Sequence, residues 1–175
     1  MFVPKQRTPV TDALIVSTLA DRYEGIVGGE MPHGLLGACA AQIVLETGRK
    51  PWNYNPGNIR GTSPSGDWTT FEAGEIINGV EVILPEGAHN TFRAYLSWDL
   101  GVDDYLRLIC LGRFAPAADK AAQEDYQGFV HELHRLCYFT AGENRYAHGV
   151  LSVETLLAKL PQMAAYAAAT KALPA

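Results

Sequence analysis

The middle of the chain differs in composition from the sequence on either side of it. Residues 52–92 are rich in Gly, Asn, Pro, Thr and Ser, with short apolar alternations between them. Within this stretch, residues 76–82 carry Asn-Gly between β-prone residues, which is a strong local signal for a hairpin. Residues 68–71 and 90–93 predict a second short strand pair. The segment is therefore expected to be a small β-lobe, at about residues 52–93, and not a linker.

Helical sequence surrounds this lobe. Thr8-Pro9 predicts the start of a first helix that ends near Gly28-Gly29. A second helix is expected from about residues 31–35 to Thr47, with Gly48 as its left-handed cap. After the lobe, Ser97 is a predicted N-cap of a helix reaching about Leu111. Further helices are expected at 124–136 and from 152 onward, with Pro161 dividing the last stretch or starting its second part. The pattern predicts an α+β fold, mainly α, in a single domain over residues 1–175.

Composition excludes several classes of protein. Acidic residues outnumber basic ones by 19 to 14, for a net charge of −5, which argues against nucleic-acid binding. No apolar run reaches the length of about 18 residues that a membrane span needs. The N-terminus lacks the apolar core of a signal peptide, so the chain is expected to be made in the cytoplasm without one.

The cysteines and histidines do not predict a metal or cofactor site. The three cysteines lack CxxC spacing, and Cys39 and Cys110 fall in apolar helical patterns that favour buried thiols. His131 and His134 are three residues apart, one short of the spacing in the HExxH zinc motif. We therefore expect neither a metal nor a cofactor.

Glu46 stands on a helix face that is otherwise small and apolar. Helical spacing places it with Gln42, Ile43 and Cys39. Desolvation and the nearby negative end of the helix both raise the pKa of such a carboxyl. A carboxylic acid that keeps its proton can protonate the leaving oxygen of a glycosidic bond. Periodicity alone favours the alternative, a carboxyl that ends a surface helix beside Lys50.

Four short stretches change that balance. They are Ala-Gln-Ile-Val-Leu-Glu-Thr-Gly at 41–48, Tyr-Asn-Pro-Gly-Asn-Ile-Arg-Gly at 54–61, Phe-Arg-Ala-Tyr-Leu-Ser at 92–97 and Tyr-Phe-Thr-Ala-Gly-Glu-Asn-Arg-Tyr-Ala at 138–147. In this order they resemble the motifs of the bacterial glucosaminidase family (glycoside hydrolase family 73, in the lysozyme superfamily) and of related phage muramidases. Two positions depart from the family pattern. Arg49-Lys50-Pro51 come before Trp52, where an aromatic residue usually follows at once, and Ala141-Gly142 replace a Thr-Asp pair.

The resemblance implies a lysozyme-like fold and an enzyme acting on peptidoglycan glycan strands. Glu46 would be the general acid that cleaves the β-1,4 backbone, as an N-acetylglucosaminidase or a muramidase. A second carboxylate is implied ahead of the Asn-Gly turn, where Glu75 stands and where Glu72, Glu81 and Asp67 are competitors. Tyr138 matches a tyrosine that lies close to the reacting sugar in the family; its alternative is an aromatic packed between helices.

Substrate binding is predicted for four residues within these stretches: Gln42, Asn55, Asn58 and Tyr146. Asn55 and Asn58, with Tyr54 and Trp52, suit a sugar groove because amides and rings match pyranose faces. The same residues also suit turns and one core tryptophan.

Alternatives remain open at the level of the sequence. If Glu46 acts alone, the chain would be a lytic transglycosylase that produces anhydro-muramic acid. A lysozyme-like domain that binds peptidoglycan or serves a structural role without turnover is the other alternative. The bond cleaved and the stereochemical outcome are not determined. The bare catalytic segment resembles phage endolysins and secreted antibacterial effectors, which a holin, a phage tail or a secretion apparatus delivers to the bacterial cell wall or periplasm.

Overall fold

The computed structural model describes residues 1–77, 79–87 and 89–172, without the side chains of 170–172. Within these residues the chain forms helices and two small β-sheets. The helices are α1 (Asp12–Ile26), α2 (His33–Thr47), α3 (Trp98–Leu106), α4 (Ala115–Ala122), α5 (Tyr126–Arg135), α6 (Glu143–Leu157) and α7 (Pro161–Ala172). The strands are β1 (Trp68–Thr70), β2 (Ala73–Ile77), β3 (Val80–Leu84) and β4 (Thr91–Arg93). The predicted α+β, mainly α, lysozyme-like architecture is confirmed.

Helix α2 is the centre of the helical lobe. Its residues are apolar and small almost all round, and most of them are buried, as expected for a helix enclosed on several sides. It packs against α1, α4 and α6. The helix ends where Gly48 adopts the left-handed conformation, with φ of 57°, and donates its N–H to the carbonyl of Val44. The predicted cap is confirmed, and it places Glu46 in the last turn.

The β-lobe consists of two antiparallel strand pairs that follow the predicted segments. Strand β1 pairs with β4, with Trp68 opposite Arg93, and β2 pairs with β3 in a hairpin, with Ala73 opposite Leu84. Asn78, the first residue of the predicted Asn-Gly turn, lies outside the described residues. Phe71, directly after β1, stacks on Phe92 of β4 with ring centres 3.8 Å apart. This contact adds to the pairing of the two strands.

The first helix begins later than predicted. Thr11 is its N-cap and accepts a hydrogen bond from the N–H of Leu14. Thr8, the predicted start, is buried, and its hydroxyl donates to the carbonyl of Pro51. The segment before α1 is extended because it runs beside the chain at Trp52 and forms an isolated bridge there through Arg7. This long-range pairing overrides the local Thr-Pro signal.

The later helices also differ in detail from the prediction. The helix capped by Ser97 is an α-helix only to Leu106, and residues Arg107–Leu111 continue it as a π-helix. Helix α4 was not predicted, since it has only eight residues and the side chains that it buries are the alanines Ala117, Ala118 and Ala121. Helix α6 begins at Glu143 and not near Ser152. Pro161 begins α7, as one of the two predicted arrangements requires.

The three cysteines do not pair. Cys39 is buried, Cys110 is half-buried and Cys137 is exposed, and all three are free thiols. Within the described part of the chain, no helix has the length and apolar character to cross a bilayer. The described residues also contain no group of three side chains arranged to hold a metal ion.

Candidate active site

A cleft of about 750 Å3 runs between the helical lobe and the β-lobe. The helical side contributes the end of α2, the connection before α4 and the loop after α5. The lobe side contributes β2 and the aromatic residues near it. Among the residues that line the cleft are Arg7, Glu46, Asn58, Arg60, Glu72, Glu75, Arg93, Arg113, Tyr138, Phe139 and Thr140.

Glu46 stands at the floor of this cleft and is half-buried. The phenol of Tyr146 donates a hydrogen bond of 2.7 Å to its Oε1 atom. The Nδ2 group of Asn58 donates to the backbone carbonyl of Glu46 at 2.7 Å and lies 3.4 Å from its Oε2 atom. Helix α2, helix α6 and the Asn-rich segment therefore converge on one carboxyl group.

The surroundings of Glu46 favour its protonated form. Burial raises the pKa of this carboxyl above its ordinary value, and the hydrogen bonds from Tyr146 and Asn58 oppose that rise. The negative charge of Glu75 adds to it. Because desolvation dominates, the net effect is a raised pKa, which is what a general acid near neutral pH requires.

A chain of buried polar groups holds Tyr146 in place. The phenol of Tyr105 donates to Oε1 of Gln42, and Nε2 of Gln42 lies 3.4 Å from the phenol oxygen of Tyr146. Burial and the charge of Glu46 raise the pKa of Tyr146 well above its ordinary value, so its phenol keeps the proton that it donates. Gln42 has no exposed surface. Gln42 is therefore placed to orient Tyr146, and it does not line the cleft.

Glu75 lies on β2 and faces the same cleft. Its Oε1 atom accepts a hydrogen bond from the Arg60 guanidinium, and its Oε2 atom accepts one of 2.7 Å from the hydroxyl of Thr140. The same hydroxyl accepts the backbone N–H of Ile76 at 3.0 Å. Thr140 therefore joins the β2–β3 hairpin to the loop after α5.

The competitors of Glu75 are placed differently. Glu72 is exposed and lines the cleft with it. Asp67 pairs with the N-terminal amine at 3.3 Å, and neither it nor Glu81 lies among the residues of the cleft. The structure therefore leaves Glu75 and Glu72 as the carboxylates that share the cleft with Glu46.

Tyr138 also lines the cleft, and it is held from two directions. Its phenol donates to the carbonyl of Gly57 at 2.9 Å, and the ring of Phe114 meets it edge-on with centres 5.0 Å apart. A side chain at Gly57 would overlap the phenol oxygen. This glycine is therefore required by close packing beneath Tyr138.

The two asparagines of the 54–61 stretch have separate positions. Asn55 has no exposed surface, and its side chain bonds the backbone of Ile59 and the carbonyl of Arg93. That placement fits the turn-forming alternative and not contact with substrate. Asn58 lines the cleft in the left-handed conformation, with φ of 49°. Tyr146, also predicted to bind substrate, is buried and is directed at Glu46.

Several residues of the site did not emerge from the sequence. Arg60 and Thr140 lie inside motif stretches, but nothing local to them indicates that both bind Glu75. Phe139 stacks on Tyr146 with ring centres 3.8 Å apart; both residues lie in the 138–147 stretch, but nothing local to Phe139 indicates this contact. Tyr105 lies on α3, and no sequence signal connects it to Gln42.

No protein-family model and no curated protein sequence matches the chain. Solved structures match the fold of the chain. A mutant of a peptidoglycan hydrolase from Sphingomonas sp. A1 is 22% identical with a TM-score of 0.60, and the match covers 90% of this chain and 99% of that one. The chain has the fold of that hydrolase.

Two further structures share this fold. The catalytic domain of the autolysin Auto from Listeria monocytogenes is 18% identical with a TM-score of 0.57, over 91% of this chain and 89% of that chain. A glycoside hydrolase domain of FlgJ from Salmonella typhimurium is 21% identical with a TM-score of 0.52, over 86% and 99%. These likenesses agree with the architecture that the ordered motifs predicted.

Proposed function

We propose that the chain is a peptidoglycan hydrolase that cleaves the β-1,4 glycan backbone with Glu46 as general acid. The observation that carries the proposal is the environment of Glu46: a half-buried carboxyl with a raised pKa, open to a cleft and oriented by Tyr146 and Asn58. The fold shared with peptidoglycan hydrolases supports the same substrate. The ordered motifs support it independently.

The proposed reaction transfers a proton from Glu46 to the glycosidic oxygen while the bond from that oxygen to the anomeric carbon breaks. Water then bonds to the anomeric carbon and loses its proton to a carboxylate, for which Glu75 is our candidate. Arg60 stabilises the negative charge of Glu75 in the resting state. Tyr138 lines the helical side of the cleft, and its ring and phenol are our candidates for holding the reacting sugar.

A lytic transglycosylase is the second candidate, and one observation favours it. Both carboxylate oxygens of Glu75 already accept hydrogen bonds, from Arg60 and Thr140, so a water molecule that Glu75 deprotonates has to share an oxygen with one of these donors. A transglycosylase avoids this requirement because the 6-hydroxyl of muramic acid replaces water as nucleophile.

Digestion of purified peptidoglycan, followed by mass spectrometry of the released fragments, tests the proposal. Wild-type protein is expected to release saccharides, and Glu46→Gln is expected to release at least about a hundredfold less, since general acid catalysis contributes about 10²–10⁴-fold. A reducing glucosamine end, a reducing muramic end and an anhydro-muramic end identify glucosaminidase, muramidase and transglycosylase respectively. Equal release by wild type and Glu46→Gln contradicts catalysis by Glu46. No release by either favours a binding or structural role.

The setting of the enzyme is part of the proposal. We infer that it acts on the bacterial cell wall after delivery by a holin, a phage tail or a secretion apparatus, as a bacteriolytic endolysin or an antibacterial effector. Lysis of indicator cells when the protein is supplied from outside, compared with lysis when it is directed to the periplasm, tests this inference. Lysis in neither case would contradict it.

A further inference from the structure

The cleft is more basic than the chain that forms it. Four arginines line it, whereas its acidic residues are Glu46, Glu72 and Glu75. The whole chain has a net charge of −5. Four arginines against three carboxylates give the cleft an excess of positive charge.

Two of these arginines already have acidic partners. Arg60 pairs with Glu75, and Nη1 of Arg93 lies 2.6 Å from Oδ2 of Asp104. Arg7 and Arg113 line the same cleft, but no carboxylate of the described residues lies within ion-pair distance of either one. Both are exposed. Their charges are therefore available to a ligand.

Two contacts hold the guanidinium of Arg113 although the residue is exposed. Its guanidinium donates to the carbonyl of Leu136 at the end of α5 and lies 4.9 Å from the centre of the Phe114 ring. Phe114 in turn packs against Tyr138. The backbone contact uses Nη2 only, so the other guanidinium N–H groups remain to donate beside Tyr138.

Arg7 is fixed in a similar way on a different element. Its guanidinium lies 3.7 Å from the centre of the Trp52 ring and donates to the carbonyl of Lys50. A stacked, backbone-bonded guanidinium loses little conformational freedom when it binds a ligand, which favours recognition. The cleft thus holds two pre-positioned cations.

We propose that Arg113 and Arg7 bind the carboxylates of peptide stems, so that the cleft selects glycan strands that carry stems over bare glycan. This proposal rests on the proposed function. A chain of N-acetylglucosamine is uncharged and offers an unpaired arginine nothing that a neutral donor could not bind. In a stem-bearing strand the lactyl carboxyl of muramic acid is in amide linkage, so the anion there comes from the stem. A carboxylate is a planar anion that matches the guanidinium fork. In peptidoglycan, stem carboxylates accompany the sugars next to the bond that is cut.

Hydrolysis of three soluble substrates tests the proposal. They are glycan fragments with stems, the same fragments after an amidase has removed the stems and left the lactyl carboxylates, and neutral N-acetylglucosamine oligomers. The proteins are wild type, Arg113→Gln, Arg7→Gln and the control Arg145→Gln, which removes an exposed arginine of α6 outside the cleft.

Arg113→Gln is expected to raise KM for stem-bearing fragments about 3–10-fold more than KM for neutral oligomers, as for the loss of one partly exposed charge pair. The change in kcat should be smaller. Arg7→Gln is also expected to raise KM more for stem-bearing fragments than for neutral oligomers. For both variants, this difference in KM between substrates should become smaller at high salt because the ions are solvent-accessible. Arg145→Gln should leave the ratio between substrates as in wild type.

Other outcomes overturn the inference. An equal loss on all three substrates would mean that Arg113 only supports Tyr138. A loss that is largest on the stem-free fragments would assign the lactyl carboxylate and not the stem as the anion. If wild type cleaves none of the substrates, the proposed function fails. Calorimetric binding of the same fragments then decides the inference separately, and it is overturned if stem-bearing fragments bind no tighter than neutral ones.

Discussion

The phenol of Tyr146 donates a 2.7 Å hydrogen bond to the carboxyl of Glu46 across 100 residues of sequence. This bond opposes the effect of burial, because it stabilises the ionised form of Glu46. The acidity of Glu46 therefore results from two opposing effects, and substitutions can separate them.

Removal of the phenol by Tyr146→Phe should raise the pKa of Glu46 further. An acid catalyst loses activity as pH rises through its pKa, so the alkaline limb of the kcat/KM profile should move to higher pH. The rate at the optimum should fall by about tenfold, for loss of a hydrogen bond of about 1.4 kcal/mol. The measurement is the pH dependence of saccharide release.

Tyr126→Phe is the matched control for this change. Tyr126 donates to Glu154 at 3.3 Å, away from the cleft, and its loss should leave the alkaline limb in place. A limb that moves to lower pH in Tyr146→Phe would contradict our account of the Glu46 environment.

Glu46→Gln should make the protein more stable at neutral pH while abolishing activity. The pKa of Glu46 is higher in the folded state than its ordinary value, so the folded state holds a proton that the unfolded state releases. The free energy of unfolding of wild type therefore falls as pH rises from about 4.5 to the folded pKa, whereas glutamine shows no such loss. Urea unfolding at several pH values measures the difference between the two proteins.

The difference in free energy of unfolding between Glu46→Gln and wild type should be smallest in acid and largest above the pKa of Glu46 in the folded state. Glu24→Gln, at an exposed position of α1 outside the residues of the cleft, provides a comparison of the same chemical change. A stability difference between Glu46→Gln and wild type that does not depend on pH would show that folding does not raise the pKa of Glu46.

Gln42→Leu should destabilise the fold by about 1–3 kcal/mol, because it leaves the buried phenol of Tyr105 without its acceptor. The double variant Gln42→Leu/Tyr105→Phe should lose less stability than the sum of the two single variants, since both partners are then removed. The midpoints of denaturant unfolding measure these effects, provided that the slope of the free energy against denaturant concentration is unchanged. Strict additivity would mean that the two side chains do not interact.

Thr140→Val should loosen the β2–β3 hairpin from the helical lobe. The change removes the hydroxyl that binds both Glu75 and the N–H of Ile76, so the amide of Ile76 should exchange with solvent faster. Hydrogen exchange read by mass spectrometry or NMR follows this amide. The overall free energy of unfolding should change by less than about 1 kcal/mol, because Thr140 is exposed.

Thr155→Val is the control for this prediction. Thr155 is also exposed, and its hydroxyl donates to a carbonyl one turn earlier on α6. Hairpin exchange should remain as in wild type. Unchanged exchange at Ile76 in Thr140→Val would show that the hairpin is held by other contacts.

Much of the fold could be predicted because its signals are local. The small apolar residues of α2 and the glycine after it specify a buried helix and its end. Alternation around a turn specifies the β2–β3 hairpin. The start of α1 could not be predicted in this way, since the extended pairing of Arg7 with Trp52 decides it.

The candidate site was predictable only in part. Glu46 and Glu75 were selected from the sequence, and the fold brings both to one cleft. Gln42 and Asn55 were expected to bind substrate, but both are fully buried and bond to the protein. An amide suited to a sugar is equally suited to a backbone carbonyl, and local sequence does not distinguish the two partners.

The sequence by itself determined the β-lobe between two helical segments and the helix that carries Glu46, because spacing and capping act over a few residues. The tertiary structure alone decided that Tyr146 reaches Glu46, that Arg60 and Thr140 bind Glu75, and that Arg7 and Arg113 line the same cleft. A pattern of apolar residues specifies which face of a helix is buried. What that face meets depends on packing between elements far apart in the chain.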